Sequence, residues 1–257
     1  MRPLLLVFGM GCTSIKMPGS GEEMQSRAHP IERVVRSGNS GPRVVVIHGY
    51  GATPDRIIGL MDGYAGEARL LAPQAPTPAL KGWSWFPLSS EVGGADALGP
   101  GISTAADDLA AWLMTEGVSP SDPAVVTGFS QGGMLSYALA VRHPDLIALS
   151  VPIAGMLPLD LLPERPPPTT APPIRAWHGD GDLRVPTALA QRTVDALSAA
   201  GWDARLETVP RTGHAVPRAA REGLHAAVAA AASGEPPTTP RTSPTDRGTD
   251  RPGTSAR

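Results

Sequence analysis

Cysteine is nearly absent from this chain of 257 residues, where Cys12 stands alone. A single cysteine forbids an intrachain disulfide and argues against a cysteine-based metal site. Lysine is almost missing as well, present only at Lys16 and Lys81, so the basic residues are nearly all arginine. Neither sign of charge dominates. A net charge of -2 and a pI near 6.3 leave no electrostatic case for nucleic acid or an anionic membrane as partner. No stretch approaches the roughly 18 consecutive apolar residues of a transmembrane helix, and no internal repeat is found.

What is present suits one globular core, with a hydrophobic content of 41%. Residues 1–30 read as an N-terminal extension. "MRPLLLVFGMGCTS" has one positive charge, a short apolar run and small residues around Cys12, in the manner of a bacterial lipoprotein signal. The run is short for such a signal, and Gly9 stands where leucine is usual. A cytoplasmic location is therefore the first expectation, and export with a lipid anchor at Cys12 the alternative. Met17–Pro30 is polar and glycine-rich, a linker. Residues 233–257 hold Pro, Thr, Ser, Gly and charge with no large apolar side chain, and are expected to be a disordered tail. The folded domain is expected over residues 31–232.

Within it, β-rich runs alternate with helical patterns. "RVVVIHG" (Arg43–Gly49), "ARLLAPQAP", "AVVTGF", "LIALSVPIAG", "IRAWHGDGD" and "ARLETVP" read as strands. Helices are predicted over Ser103–Gly117, from Gln131 to the residue before Pro144, over Pro186–Gly201, and over Pro217–Ala232. This alternation predicts an α/β fold with a mostly parallel central sheet and helices on both faces. In such sheets, sites form at the carboxyl ends of strands. The gap Met156–Pro173 is dense in proline, so no large cap domain is expected over the site.

Three segments follow predicted strands and carry chemistry. Gly128-Phe129-Ser130-Gln131-Gly132 is a G-x-S-x-G pattern between a strand and a helix, the context in which that pattern holds a serine up as nucleophile. A serine hydroxyl needs a base within hydrogen-bond reach. Of six histidines, His214 in "RTGHAVP" lies on a loop between the last strand and the last helix, free to swing over Ser130. His48 and His178 end strands, His143 ends a helix, His225 lies within one and His29 in the linker; structural roles suffice for these. Asp182 in "HGDGD" is the acid expected to orient His214, whereas Asp180 fits a Gly-flanked turn. The chain order Ser130, Asp182, His214 is that of α/β-hydrolases. The N–H groups of Tyr50, in "HGYGA", and Gln131 are the expected oxyanion donors.

Taken together, "HGYGA", "GFSQGG", "HGDGDLRVP" and "TGHAVP" resemble the phospholipase/carboxylesterase family of α/β-hydrolases, which includes the acyl-protein thioesterases. The resemblance runs roughly from Pro42 to Ala232. It implies hydrolysis of small-molecule carboxylic esters or thioesters through an acyl-enzyme, without metal or organic cofactor, and the same roles for Ser130, Asp182 and His214. "GWSWFPL" (Gly82–Leu88) matches the family's Trp-Phe segment, with Pro87 where an aspartate is usual. Trp83, Trp85, Phe86 and Leu157 are accordingly expected to bind substrate. A serine peptidase or acyltransferase on the same fold, and a non-catalytic binding homologue, are the rival readings.

Overall fold

A computed structural model describes residue 31, residues 34–88 and residues 94–234. The expected extension over residues 1–30, with Cys12, lies outside the described residues, as does the tail beyond Gly234.

Seven strands form one sheet in the order β1-β3-β2-β6-β7-β8-β9. They are β1 (Val34–Ser37), β2 (Arg43–Ile47), β3 (Arg69–Pro73), β6 (Ala124–Phe129), β7 (Ile147–Ile153), β8 (Ile174–Gly179) and β9 (Ala204–Val209). Only β1 runs antiparallel, against β3 at the edge. A separate hairpin of β4 (Thr77–Ala79) and β5 (Gly82–Ser84) stands beside the sheet. The helices are the short α1 (Pro54–Ile57), α2 (Gly99–Thr115), α3 (Gln131–Arg142), α4 (Thr187–Ala199) and α5 (Arg218–Ser233). Among the described residues no helix is long and apolar enough to cross a membrane.

The continuous apolar run of β2 is explained by its two covered faces. Val45 and Ile47 point into the core under α2, α3 and α4, with Leu109, Leu135 and Leu197. Val44 and Val46 point the other way, into a second core with Leu60 and with Leu224 and Val228 of α5. Strand alternation thus divides one sequence run between two layers.

Helix α2 begins four residues before the expected Ser103, and ends two residues before Gly117. The Gly-Pro-Gly at residues 99–101 looks like a loop in sequence. Pro100 instead supplies the fixed φ suited to a first helical turn. Gly101 is required by packing, because a Cβ there would lie 2.9 Å from the Cβ of Phe86. The edge strand β1 and the β4–β5 hairpin are too short and mixed to show in the sequence pattern.

Topology sets the position of the site. From β2 the chain leaves through α1 to β3 on one side, whereas from β6 it leaves through α3 to β7 on the other. The adjacent strands β2 and β6 therefore flank the switch point, where exit loops diverge and open a crevice.

Candidate active site

At that crevice β6 turns directly into α3 through Ser130, which has φ 59° and ψ -114°. This sparsely populated backbone region costs on the order of 1–3 kcal/mol for a residue with a Cβ. The geometry is held from both sides. The Ser130 N–H donates to the carbonyl of Ile153 at 3.0 Å, and the Ser130 carbonyl accepts from Met134 N–H at 3.0 Å. Glycine is needed next to it because backbone meets backbone: a Cβ on Gly132 would stand 2.0 Å from the Ile47 carbonyl oxygen. Gly132→Ala is therefore expected to force β2 and α3 apart at a cost of about 3 kcal/mol. That should lower Tm by roughly 5 °C or more in a calorimetric melt. Gly63, with open space around it, is the comparison: Gly63→Ala meets only the strain of its positive φ.

His214 closes over the serine. Its Nε2 lies 2.9 Å from Ser130 Oγ and its Nδ1 lies 2.7 Å from Asp182 Oδ2. A carboxylate only accepts, so the Nδ1 carries the proton and Nε2 is left to accept the serine O–H. The Phe129 ring packs against the imidazole at 4.8 Å between centroids. The loops that carry Asp182 and His214 are laced together: Gly181 N–H donates to the Thr212 carbonyl at 2.9 Å, and Thr212 N–H to Asp180 Oδ1 at 3.3 Å. Asp180 thus helps tie its own loop to the loop after β9.

Asp182 is buried and richly supplied with donors. Its Oδ1 accepts the N–H groups of Arg184 at 2.9 Å and Val185 at 3.0 Å, while His178 Nε2 stands 3.2 Å from Oδ2. Burial opposes its ionisation, but the hydrogen bonds from His214, Val185 and Arg184 outweigh it and hold the carboxyl below its ordinary range. His178 donates to the Val185 carbonyl at 2.8 Å, and burial holds its pKa below the usual imidazole value.

The loop after β2 reaches the same crevice. Gly49 packs so closely on the elbow that a Cβ there would lie 3.3 Å from that of Ser130. Gly51 N–H donates to the Trp83 carbonyl at 2.9 Å, which ties this loop to β5. His48 stays neutral because burial lowers its pKa. Its Nε2 accepts Ala75 N–H at 3.1 Å, so Nδ1 donates to the Gly49 carbonyl at 2.8 Å. Tyr50 and Gln131, the expected oxyanion donors, both line the cavity that Ser130 and His214 face. Gln131 stands at the first turn of α3, where backbone N–H groups have no partner within the helix. Its side chain is engaged elsewhere: Oε1 accepts Trp85 N–H at 3.1 Å and Nε2 donates to the Phe86 carbonyl at 2.8 Å.

The cavity holds about 660 Å³, within the range of small-molecule sites. Its wall differs from the one expected. Trp85, Phe86 and Leu157 are buried in the core and do not reach the cavity, and Trp83 packs partly buried behind it. Trp85 spends its indole N–H on the His48 carbonyl at 2.9 Å, fixing the Trp-Phe segment as a support beneath the site. The apolar wall is made instead by Leu80, Leu88, Leu98, Met134, Met156 and Leu189. Met134 follows Ser130 by one helical turn and Met156 adjoins Leu157, so the spacing held a usable hint for those two. Among the described residues no group of three or more His, Cys, Asp or Glu could hold a metal ion.

The mostly parallel sheet, with a serine elbow at the switch point, defines an α/β-hydrolase fold. Residues 30–225 match the family model described as Phospholipase/Carboxylesterase, and the chain belongs to that family. It is 34% identical over 101 residues to acyl-protein thioesterase 1 of Mycosarcoma maydis, a match covering 37% of this chain and 42% of the relative. A second curated relative, from Nocardia uniformis subsp. tsuyamanensis, is 31% identical over 168 residues, with 63% and 44% of the two chains covered. The match thus spans less than half the length of either curated relative. Among solved structures, esterase PE8 superposes with a TM-score of 0.64 at 27% identity, over 74% of this chain and 96% of that one. Acyl-protein thioesterase 2 of Zea mays shares the fold with a TM-score of 0.62 at 22% identity, covering 77% and 97%.

Proposed function

We propose that this protein is a serine hydrolase that cleaves carboxylic esters or thioesters through an acyl-enzyme intermediate. One observation carries the reading: a single imidazole, His214, bridges Ser130 Oγ at 2.9 Å and buried Asp182 at 2.7 Å. In this mechanism His214 Nε2 takes the Ser130 proton as Oγ attacks the acyl carbon. The oxyanion rests on the N–H groups of Tyr50 and Gln131, the latter aided by the N-terminus of α3. His214 then returns the proton to the departing alcohol or thiol. Water, activated by the same imidazole, releases the acid. Membership in the phospholipase/carboxylesterase family and likeness to thioesterases and esterases support the same chemistry.

The cavity wall is apolar but its mouth is open, and each methylene buried there contributes about 0.8 kcal/mol until the cleft is filled. Across a panel of p-nitrophenyl esters and matched thioesters, kcat/KM is expected to peak at short to medium acyl chains. No jump is expected above the critical micelle concentration. A steady rise to long chains, or activation by micelles, would count against an open, uncapped site. Failure of the folded protein to turn over any ester or thioester of the panel would count against the function itself.

A further inference from the structure

Among the described residues, the lining of the cavity holds one full charge. Arg184 is the only lysine, arginine, aspartate or glutamate among the described residues that line it; the rest of the wall is apolar side chains, glycine, Tyr50, Gln131, Ser130 and His214. Many surface arginines of this chain are spent on carboxylates, as in Arg36–Glu116, Arg142–Asp107, Arg192–Asp96 and Arg218–Glu222. Arg184 takes part in none of the ion pairs among the described residues. Three described acids near the cavity are engaged elsewhere. Asp182 is occupied by His214 and two backbone N–H groups, Asp180 accepts from Thr212, and Asp96 takes Arg192 and the Leu159 N–H.

The backbone of Arg184 is fixed although its side chain is free. Its N–H is held by Asp182 Oδ1, and the next residue is pinned by both its N–H to Asp182 and its carbonyl to His178. The Cα of Arg184 is thus anchored two residues from the acid that orients His214. Pro186 and Leu189 line the same side of the cavity, which brings the positive end of the 13-residue α4 to that wall. A guanidinium at the rim of an apolar cleft, with no carboxylate partner among the described residues, attracts an oxyanion more strongly than it would in open water. Its planar fork also matches a carboxylate or phosphate with two donors.

Resting on the ester-hydrolase reading above, we infer that Arg184 is a specificity-determining residue that holds an anionic group of the substrate, a carboxylate or phosphate, at the mouth of the cavity. The substrate class is then an ester or thioester that carries an oxyanion near its scissile bond. The shape of the cleft allows that anion on either the acyl or the alcohol part.

Two matched pairs of esters test this. Mono-4-nitrophenyl adipate and its methyl ester place or remove a carboxylate on the acyl side. 4-Carboxyphenyl butyrate and methyl 4-butyryloxybenzoate do so on the alcohol side. In at least one pair the anionic member is expected to show about tenfold higher kcat/KM, mainly through KM, as a charge-assisted hydrogen bond at an exposed site supplies. The preference should shrink with added salt. Arg184→Gln should bring the ratio near one, and Arg184→Glu should reverse it. Equal ratios in wild type and Arg184→Gln, with ester turnover intact, would overturn the assignment and leave the hydrolase reading standing. Calorimetric binding of the same esters to Ser130→Ala separates the two readings further. Anion preference in binding, lost with Arg184→Gln but without turnover in the wild type, would keep the recognition and sink the hydrolysis. Absence of anion preference in both binding and turnover would sink the recognition.

Discussion

Replacing Ser130 with alanine is expected to lower kcat for esters on the order of 10⁶-fold, and to abolish labelling by a fluorophosphonate probe. The size follows from the part Oγ plays. Asp182 fixes the His214 proton on Nδ1, so Nε2 is poised to accept, and the serine O–H is the group within 2.9 Å to supply it. Without Oγ, neither the acyl bond nor the proton relay can form. What remains is binding in the cavity and any stabilisation from the N–H donors, which in comparable hydrolases leaves 10³–10⁴-fold catalysis over water. The fold should survive, because the Ser130 contacts that shape the elbow are made by its backbone, to Ile153 and Met134. Affinity for unreacted ester should therefore remain near that of the wild type. Persistent labelling in the folded variant would place the nucleophile elsewhere. Residual activity above about a hundredth of wild type would do the same.

The fold was largely readable because its signals are local. Buried parallel strands favour near-continuous apolar runs, and β2, β6 and β7 come close to having them. The residues of the candidate site were readable for a related reason: each follows a strand and is flanked by glycine, as Ser130, Asp182 and His214 are. The structure places His214 within hydrogen-bond distance of both Ser130 and Asp182. The wall was harder. Whether a side chain faces the cavity or the core turns on a shift of one residue, since neighbours in extended chain point oppositely. Met156 and Leu157 are neighbours and both buried, yet Met156 lines the site and Leu157 does not. Trp83 and Trp85 are expected at the site from the Trp-Phe segment, yet what decides their place is polar. The Trp85 indole is held by His48, and the Trp83 backbone pairs with the loop after β2. Those partners lie more than thirty residues away in sequence, and no local pattern reports them. Arg184 was missed in the same way, because its meaning lies in the carboxylate it does not meet.

Asp182→Asn is expected to reduce kcat by about 10⁴-fold with little change in the fold, and Asp180→Asn by far less. The two aspartates are two residues apart but differ in what they hold. Asp182 accepts from three donors: His214 Nδ1 and the N–H groups of Arg184 and Val185. If the asparagine keeps its oxygen toward the two backbone donors, its NH₂ faces His214, which must then present an acceptor at Nδ1 and carry its proton on Nε2. That tautomer cannot take the serine proton. Asp180 accepts only from Thr212 N–H, and the oxygen of asparagine can do the same. The pH dependence of stability provides a second reading of the same site. The pKa of Asp182 is depressed on folding, so its ionised form contributes stability above the ordinary carboxylate range. That contribution is lost as pH falls through the depressed value. Asp182→Asn should therefore flatten the acid limb of Tm against pH. If Asp180→Asn were the more damaging to kcat, the acid of the relay would have to be reassigned to it.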